Sequence, residues 1–156
     1  MSISRRTEFA VRLMYELAQL PQGASLSVRD LCESADVPAS FGSGIVPFLI
    51  GAGMVRAEGY RDHLLSLARP ASEITIAEVI RASEPSFSLS QCAREPEVCD
   101  RSSQCGVHKM WAGLDAILWQ QLEMLTLEAV VAGKPFYPDV RPTGVSSGSP
   151  GLMGIA

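Results

Sequence analysis

The residues that stop helices decide what this chain can become. Pro21-Gln22-Gly23, Asp36-Val37-Pro38 and Gly53 cut its first third into short pieces, each with room for one small helix. Phe9, Ala10, Leu13, Met14 and Leu17 recur at spacings of three and four, which predicts a helix over 3–20 with one apolar face. Ser27-Val28-Arg29-Asp30 reads as an N-cap followed by a first-turn acid. It opens a short helix over 28–35 that buries Val28, Leu31, Cys32 and Ala35. A third helix is expected from Ala39 to about Ala52, held on the first two by Ile45, Phe48 and Leu49 and closed by Gly53. Met54–Glu58 and His63–Leu67 read as two strands around a tip at 59–62, and Pro70 ends the hairpin. Three helices and a hairpin make the winged helix-turn-helix plan. In that plan one helix supports, the next lies in the major groove of DNA and the wing reaches the backbone.

Beyond residue 70 the pattern changes. Thr75-Ile76-Ala77-Glu78 is a capping box that opens a short helix to about Ala82, and Glu84-Pro85 breaks it. Residues 86–105 read as a polar loop. A long helix is expected from Gly106 to about Leu125, with Val107, Met110, Trp111, Leu114, Ile117, Leu118, Leu122 and Leu125 as a wide apolar stripe. A stripe of that width exceeds what one small domain covers, so this helix is expected to join two copies of the chain. Thr126 caps a last short helix ending at Gly133. The expected fold class is therefore mainly α with a small β-hairpin wing. Its parts are a winged helix-turn-helix over 1–70, a loop and dimerisation helix over 71–132, and a flexible tail over 133–156 rich in Gly and Pro.

The chemistry concentrates in the loop. Cys92, Cys99 and Cys105, separated by six and five residues, are three of the four cysteines in the chain and fall within fourteen residues. Thiolates are soft ligands for iron–sulfur clusters or zinc. Structural zinc sites usually use tighter cysteine pairs, so these wider spacings favour a cluster, either 4Fe–4S or 2Fe–2S, with zinc as the rival. A fourth ligand is needed. His108 follows Cys105 by three residues, and Glu8 on the first helix is the alternative. Cys32 sits on an apolar helix face and reads as core.

Composition narrows the partners. The net charge is −4, but residues 1–70 carry seven Arg against seven acids and so net to zero. Phosphate contact must therefore come from local patches, and Arg5, Arg6, Arg29, Arg56 and Arg61 are the candidates, with Ser40 and Ser43 facing the groove. There is no Cys-x-x-Cys, phosphate loop or nucleophile motif, which argues against an enzyme. Ser4-Arg5-Arg6-Thr7-Glu8 leads into the first helix without the apolar core of a signal peptide. No stretch approaches the ~20 apolar residues of a membrane span, so a cytoplasmic chain with no membrane contact is expected.

Several of these segments, in this order, resemble the IscR/NsrR/RirA-type family of iron–sulfur winged-helix transcription regulators. They are Ser4 to Arg12, Ala52-Gly53-Met54-Val55, Leu67-Ala68-Arg69-Pro70, Glu73 to Ile80, the three cysteines, and Thr126 to Val131. The likeness covers about 1–132. It implies a homodimer built on the long helix, binding a double-stranded DNA operator as a repressor, with a bound cluster tuning affinity in response to iron, nitric oxide or redox state. Cys105-Gly106-Val107-His108 resembles the arrangement in which a His completes a 2Fe–2S site. Ser86 to Cys92 resembles the iron-responsive type, and Glu8 resembles the acid of the nitric-oxide-sensing type.

The third helix departs from the family pattern. It reads Phe41-Gly42-Ser43-Gly44-Ile45-Val46-Pro47-Phe48, and residues 39–55 contain no Lys, Arg, Asn or Gln. An interior Pro costs a helix about 3 kcal/mol and each Gly about 1 kcal/mol. The usual base-reading side chains are missing. A family member that has lost DNA reading and acts as a cluster-binding protein-interaction module is the alternative these residues leave open.

Overall fold

The computed structural model describes residues 3–59 and 64–133. The elements run α1 (Arg5–Gln19), β1 (Leu26–Ser27), α2 (Val28–Ser34), α3 (Ala39–Gly51), β2 (Val55–Glu58), β3 (Leu64–Leu67), α4 (Ile76–Ser83), α5 (Gln91–Arg94), α6 (Gly106–Met124) and α7 (Leu127–Val131). The expected helices and hairpin are present, in a mainly helical fold with a small antiparallel sheet of order β1-β3-β2. Leu64–Leu67 pairs with Val55–Glu58 on one side and with Leu26 and Ser27 on the other. The third strand, β1, is not among the expected elements. Residues 60–63, which include Tyr60, Arg61 and most of the anticipated wing tip, and the anticipated tail beyond Gly133 lie outside the described residues.

Capping explains most of the boundaries. Ser4 and Ser27 accept hydrogen bonds from Thr7 N and Asp30 N and start α1 and α2. Thr75 and Glu78 form both halves of a capping box at α4, and Thr126 caps α7 through Ala129 N. The turn between α2 and α3 places Asp36 at a φ of 51°, a left-handed conformation that Asp tolerates better than most residues.

One hydrophobic cluster runs through the fold. Ala10, Leu13, Met14 and Leu17 of α1, Leu31 and Cys32 of α2, Ile45 and Leu49 of α3, Leu65, Ile76, Val79 and Leu127 are all buried in it. Ile45, Val46 and Leu49 fasten α3 to the core, whereas Phe48, expected beside them, is 50% exposed. The reason is angular. The helix turns about 100° per residue, so the face carrying 42, 45, 46 and 49 points inward and position 48 falls on its outer flank. Pro47 is also on the outside.

The second half closes on the first. An isolated bridge pairs Thr75 with Thr126. Ile76 N donates to Leu125 O at 2.8 Å, and Leu127 N donates to Ile74 O at 2.9 Å. Arg69 donates to Glu73 O at 3.0 Å and pairs with Glu78 at 2.7 Å, tying the end of the hairpin to α4. Burial pushes the Glu78 carboxyl up, but the Thr75 amide and Arg69 more than reverse this, leaving it below the usual carboxylate range.

Candidate functional site

The cysteine segment is partly helical rather than the plain loop expected from sequence. Ser90 caps the single turn of α5 by accepting from Ala93 N at 3.2 Å, and its hydroxyl lies 3.5 Å from Cys92 Sγ. A 3-10 turn over Pro96–Val98 precedes Cys99. Cys105 is the N-cap residue of α6. The segment is fixed to α6 by Asp115, whose Oδ1 accepts from Leu89 N at 2.6 Å, and by Phe87 meeting Trp119 edge-on at 5.8 Å. Neither Asp115 nor Ser90 is legible in the sequence: Asp115 acts through Leu89 N, a partner that only the folded chain supplies, and Ser90 caps a helix of one turn, too short to show a repeat.

Cys92, Cys99 and Cys105 are free thiols, all half-buried, while Cys32 is buried as expected. The backbone amides of His108, then Val107, at the start of α6 hold the Cys105 thiol below its ordinary value. They do so by donating to the thiolate, as unpaired helix N-terminal amides favour anions. Burial instead pushes the Cys32 thiol up. His108 Nδ1 is buried without a hydrogen-bond partner. The donor set therefore suits an iron–sulfur cluster in its chemistry: accessible thiols, one of them biased toward thiolate, beside an imidazole nitrogen with no bond of its own. Among the described residues, no three His, Cys, Asp or Glu side chains lie close enough together to hold a metal ion. Glu8, the alternative ligand, is exposed on α1 and pairs with Arg12 at 2.7 Å.

The candidate DNA-facing residues gather around α1, α2 and α3. Arg5 and Arg29 are exposed and, among the described residues, neither makes an ion pair. Arg56 pairs with Glu58 at 2.8 Å. Arg6 lies over the Phe48 ring with its guanidinium carbon 4.1 Å from the centroid, and its Nε is buried without a partner. Ser40 and Ser43 are exposed on α3, but Ser43 Oγ donates to Ser40 O at 3.1 Å. Arg61 lies outside the described residues.

Between the two groups sits a polar junction. Glu84, at the end of α4, accepts from Ser4 Oγ at 2.7 Å and from Thr7 Oγ1 at 2.8 Å, and buried Ser83 donates to Thr7 Oγ1 at 3.2 Å. The Ser4 hydroxyl first, and Thr7 after it, hold the Glu84 carboxyl below its usual range against the opposing effect of burial.

Leu122 of α6 and Leu125, the residue that ends it, face the core as partly buried side chains. Val107, Met110, Leu114, Ile117 and Met124 are exposed at 45–68%. Their numbers follow a repeat of three and four, the spacing of a seam between paired helices. Among the described residues no helix is long and apolar enough to cross a membrane.

The chain matches the Rrf2 family model, described as an iron-dependent transcriptional regulator, over residues 3–133. It is 26% identical over 134 residues to a protein of Neisseria meningitidis serogroup A named as an HTH-type transcriptional regulator, covering 86% of this chain and 90% of that one. CymR of B. subtilis, the global cysteine regulator, superimposes with a TM-score of 0.69 at 18% identity, covering 86% of this chain and 99% of that one. IscR of T. potens gives the same TM-score and identity over 86% and 89% of the two chains. These last two likenesses bear on the fold. The chain belongs to the Rrf2 family of winged-helix transcription regulators, proteins that bind DNA rather than catalyse a reaction.

Proposed function

We propose that the chain is a homodimeric repressor whose operator affinity is set by an iron–sulfur cluster held on Cys92, Cys99 and Cys105. The fourth ligand in this reading is His108, with Glu8 as the alternative. The observation that carries it is the start of α6, where a thiol biased toward thiolate by helix amides stands one turn from an imidazole with an unpartnered Nδ1. A bound cluster supplies a centre that responds to iron supply, nitric oxide or electron transfer.

The remaining work falls to the chain. Asp115 and Trp119 fix the cysteine segment to α6, so a change in that segment bears on the dimer helix. At its other end the segment begins just after Glu84, whose carboxylate holds Ser4 and Thr7 on either side of Arg5 and Arg6. Arg5, Arg6, Arg29 and Arg56 then position DNA by phosphate contact, with Ser40 and Ser43 on the groove side and Arg61 assigned the same role from the wing.

The exposed apolar flank of α3 favours a second reading, a cluster-binding protein-interaction module without DNA contact. One measurement tests the cluster that both readings share, and a second, on DNA, separates them. Protein purified without oxygen should be coloured and contain iron and acid-labile sulfide. It should also lose the colour on replacing Cys92, Cys99 or Cys105 by Ala but keep it in Cys32→Ala. Holo and apo protein should then differ in affinity for fragments of the chain's own promoter region. Zinc without iron sinks the cluster, and equal binding by holo and apo protein sinks the control.

A further inference from the structure

The helix expected to enter the major groove is built unlike a hydrogen-bonding reader. Its outward residues include Ser40, Gly44, Pro47 and Gly51, spaced by four, three and four, so they form one line along the helix. At Gly44 and Gly51 nothing stands within 4 Å of where a Cβ would be, so the backbone there is open to close approach. Ser43 spends its hydroxyl on Ser40 O. What stands out from the flanks is apolar: Phe48 is 50% exposed, Phe41 40% and Ile50 38%. Phe41 is steadied edge-on by Phe9 at 5.0 Å. Phe48 stays half exposed even with the Arg6 guanidinium stacked over its ring. The apolar edge is therefore backed by a positive charge at Arg6, and Arg5, next to it on α1, and Arg29 on α2 are exposed without ion pairs among the described residues.

An exposed apolar edge backed by a cation matches one feature of duplex DNA. In the major groove the C5-methyl of thymine is the apolar group on a base edge, and it lies between the two phosphate backbones. We propose that α3 reads its operator by apolar contact with thymine methyls, with Phe48 as the main contact and Phe41 beside it on the same flank of the helix. This rests on the reading above that α3 enters the major groove. It adds that the operator is defined by where thymines place their methyls, and that hydrogen bonding to guanine or adenine edges from α3 contributes little.

The test removes the methyls and leaves the protein alone. Full-length protein purified without oxygen selects binding sites from a random-sequence duplex library at low salt. Each thymine of the winning site is then replaced by deoxyuridine, which keeps the base pair and its hydrogen-bonding pattern. At contacted positions affinity should fall about fourfold per methyl, the equivalent of ~0.8 kcal/mol. At the positions where deoxyuridine costs the wild type most, Phe48→Ala should bind the thymine and deoxyuridine duplexes alike, because the main partner of those methyls is gone. If wild-type protein binds the selected site and deoxyuridine changes nothing at any position, this inference is overturned while the DNA-binding reading stands. If no duplex is bound at low salt, both fall.

Discussion

At Gly42 the missing side chain is a packing requirement. A Cβ built there would stand 2.1 Å from Cys32 Sγ and only 3.8 Å from Cys32 Cβ, so the sulfur alone fills the space. This is where α3 crosses α2, and Cys32 is 2% exposed with little room to turn. Gly42→Ala should therefore destabilise the fold by about 1–2 kcal/mol, since overpacking outweighs the gain in helix propensity. In a Cys32→Ala background the same change should stabilise by up to ~1 kcal/mol, because the sulfur is gone and the better helix former remains. Urea midpoints of the four proteins decide it, and loss of stability in both backgrounds counts against the contact. The sequence shows Cys32 on an apolar face and Gly42 in a helix, and periodicity makes each legible. That the two meet depends on the crossing of two helices, which periodicity does not encode. The bond between Ser43 and Ser40 was equally hidden, since a three-residue spacing is compatible with a hydroxyl turned outward or folded back.

Elements whose boundaries are written in local chemistry were readable, and those set by distant partners were not. Ser27 with Asp30, Thr75 with Glu78, and Thr126 announce α2, α4 and α7 because a cap is a bond between near neighbours. The two residues of β1 carry no period and are strand only because Leu64 and Leu65 lie beside them. α5 is one turn long, too short for a helical repeat to register. The junction of α1 with α4 belongs to the unreadable class, since Ser4 and Thr7 meet Glu84 across nearly half the chain. Its behaviour with pH follows from the direction of the Glu84 shift. A carboxyl held below its unfolded value stabilises the fold fully above that value, about 4.3. The stabilisation is lost as pH falls through the folded value. Glu84→Gln should cost about 1–2 kcal/mol at pH 7 and show a smaller decline in urea midpoint between pH 6 and pH 3.5 than the parent. An unchanged acid limb would remove Glu84 from the account.

Across the whole molecule, the exposed seam of α6 is a long apolar stripe without a partner among the described residues. Members of this family bind DNA and typically form dimers, and in the dimer proposed above Val107, Met110, Leu114 and Ile117 form the contact between the two copies. Ile117→Glu, placed at a side chain 57% exposed, leaves the core of the single chain intact while putting a charge in the seam. Light scattering should show the parent as a dimer at micromolar concentration and the variant as a folded monomer. A parent that is monomeric, or a variant that stays dimeric, moves the interface elsewhere. The bridge between Thr75 and Thr126 has a bearing on how such a molecule could have diversified. The chain leaves the winged-helix half after α4, which packs on α1 and α3, and returns to it at Thr126 beside Thr75, with main-chain bonds on both sides of that point. Closing a longer loop costs only a few tenths of a kcal/mol for a modest extension. Residues gained or lost between Cys92 and Cys105 therefore leave the pinned ends at Thr75 and Thr126, and α4 on its α1 and α3 neighbours, where they are. Spacing between the thiols is free to drift through insertion and deletion while the winged-helix half keeps its shape, so under the proposed function a change of signal need not wait for a change of operator.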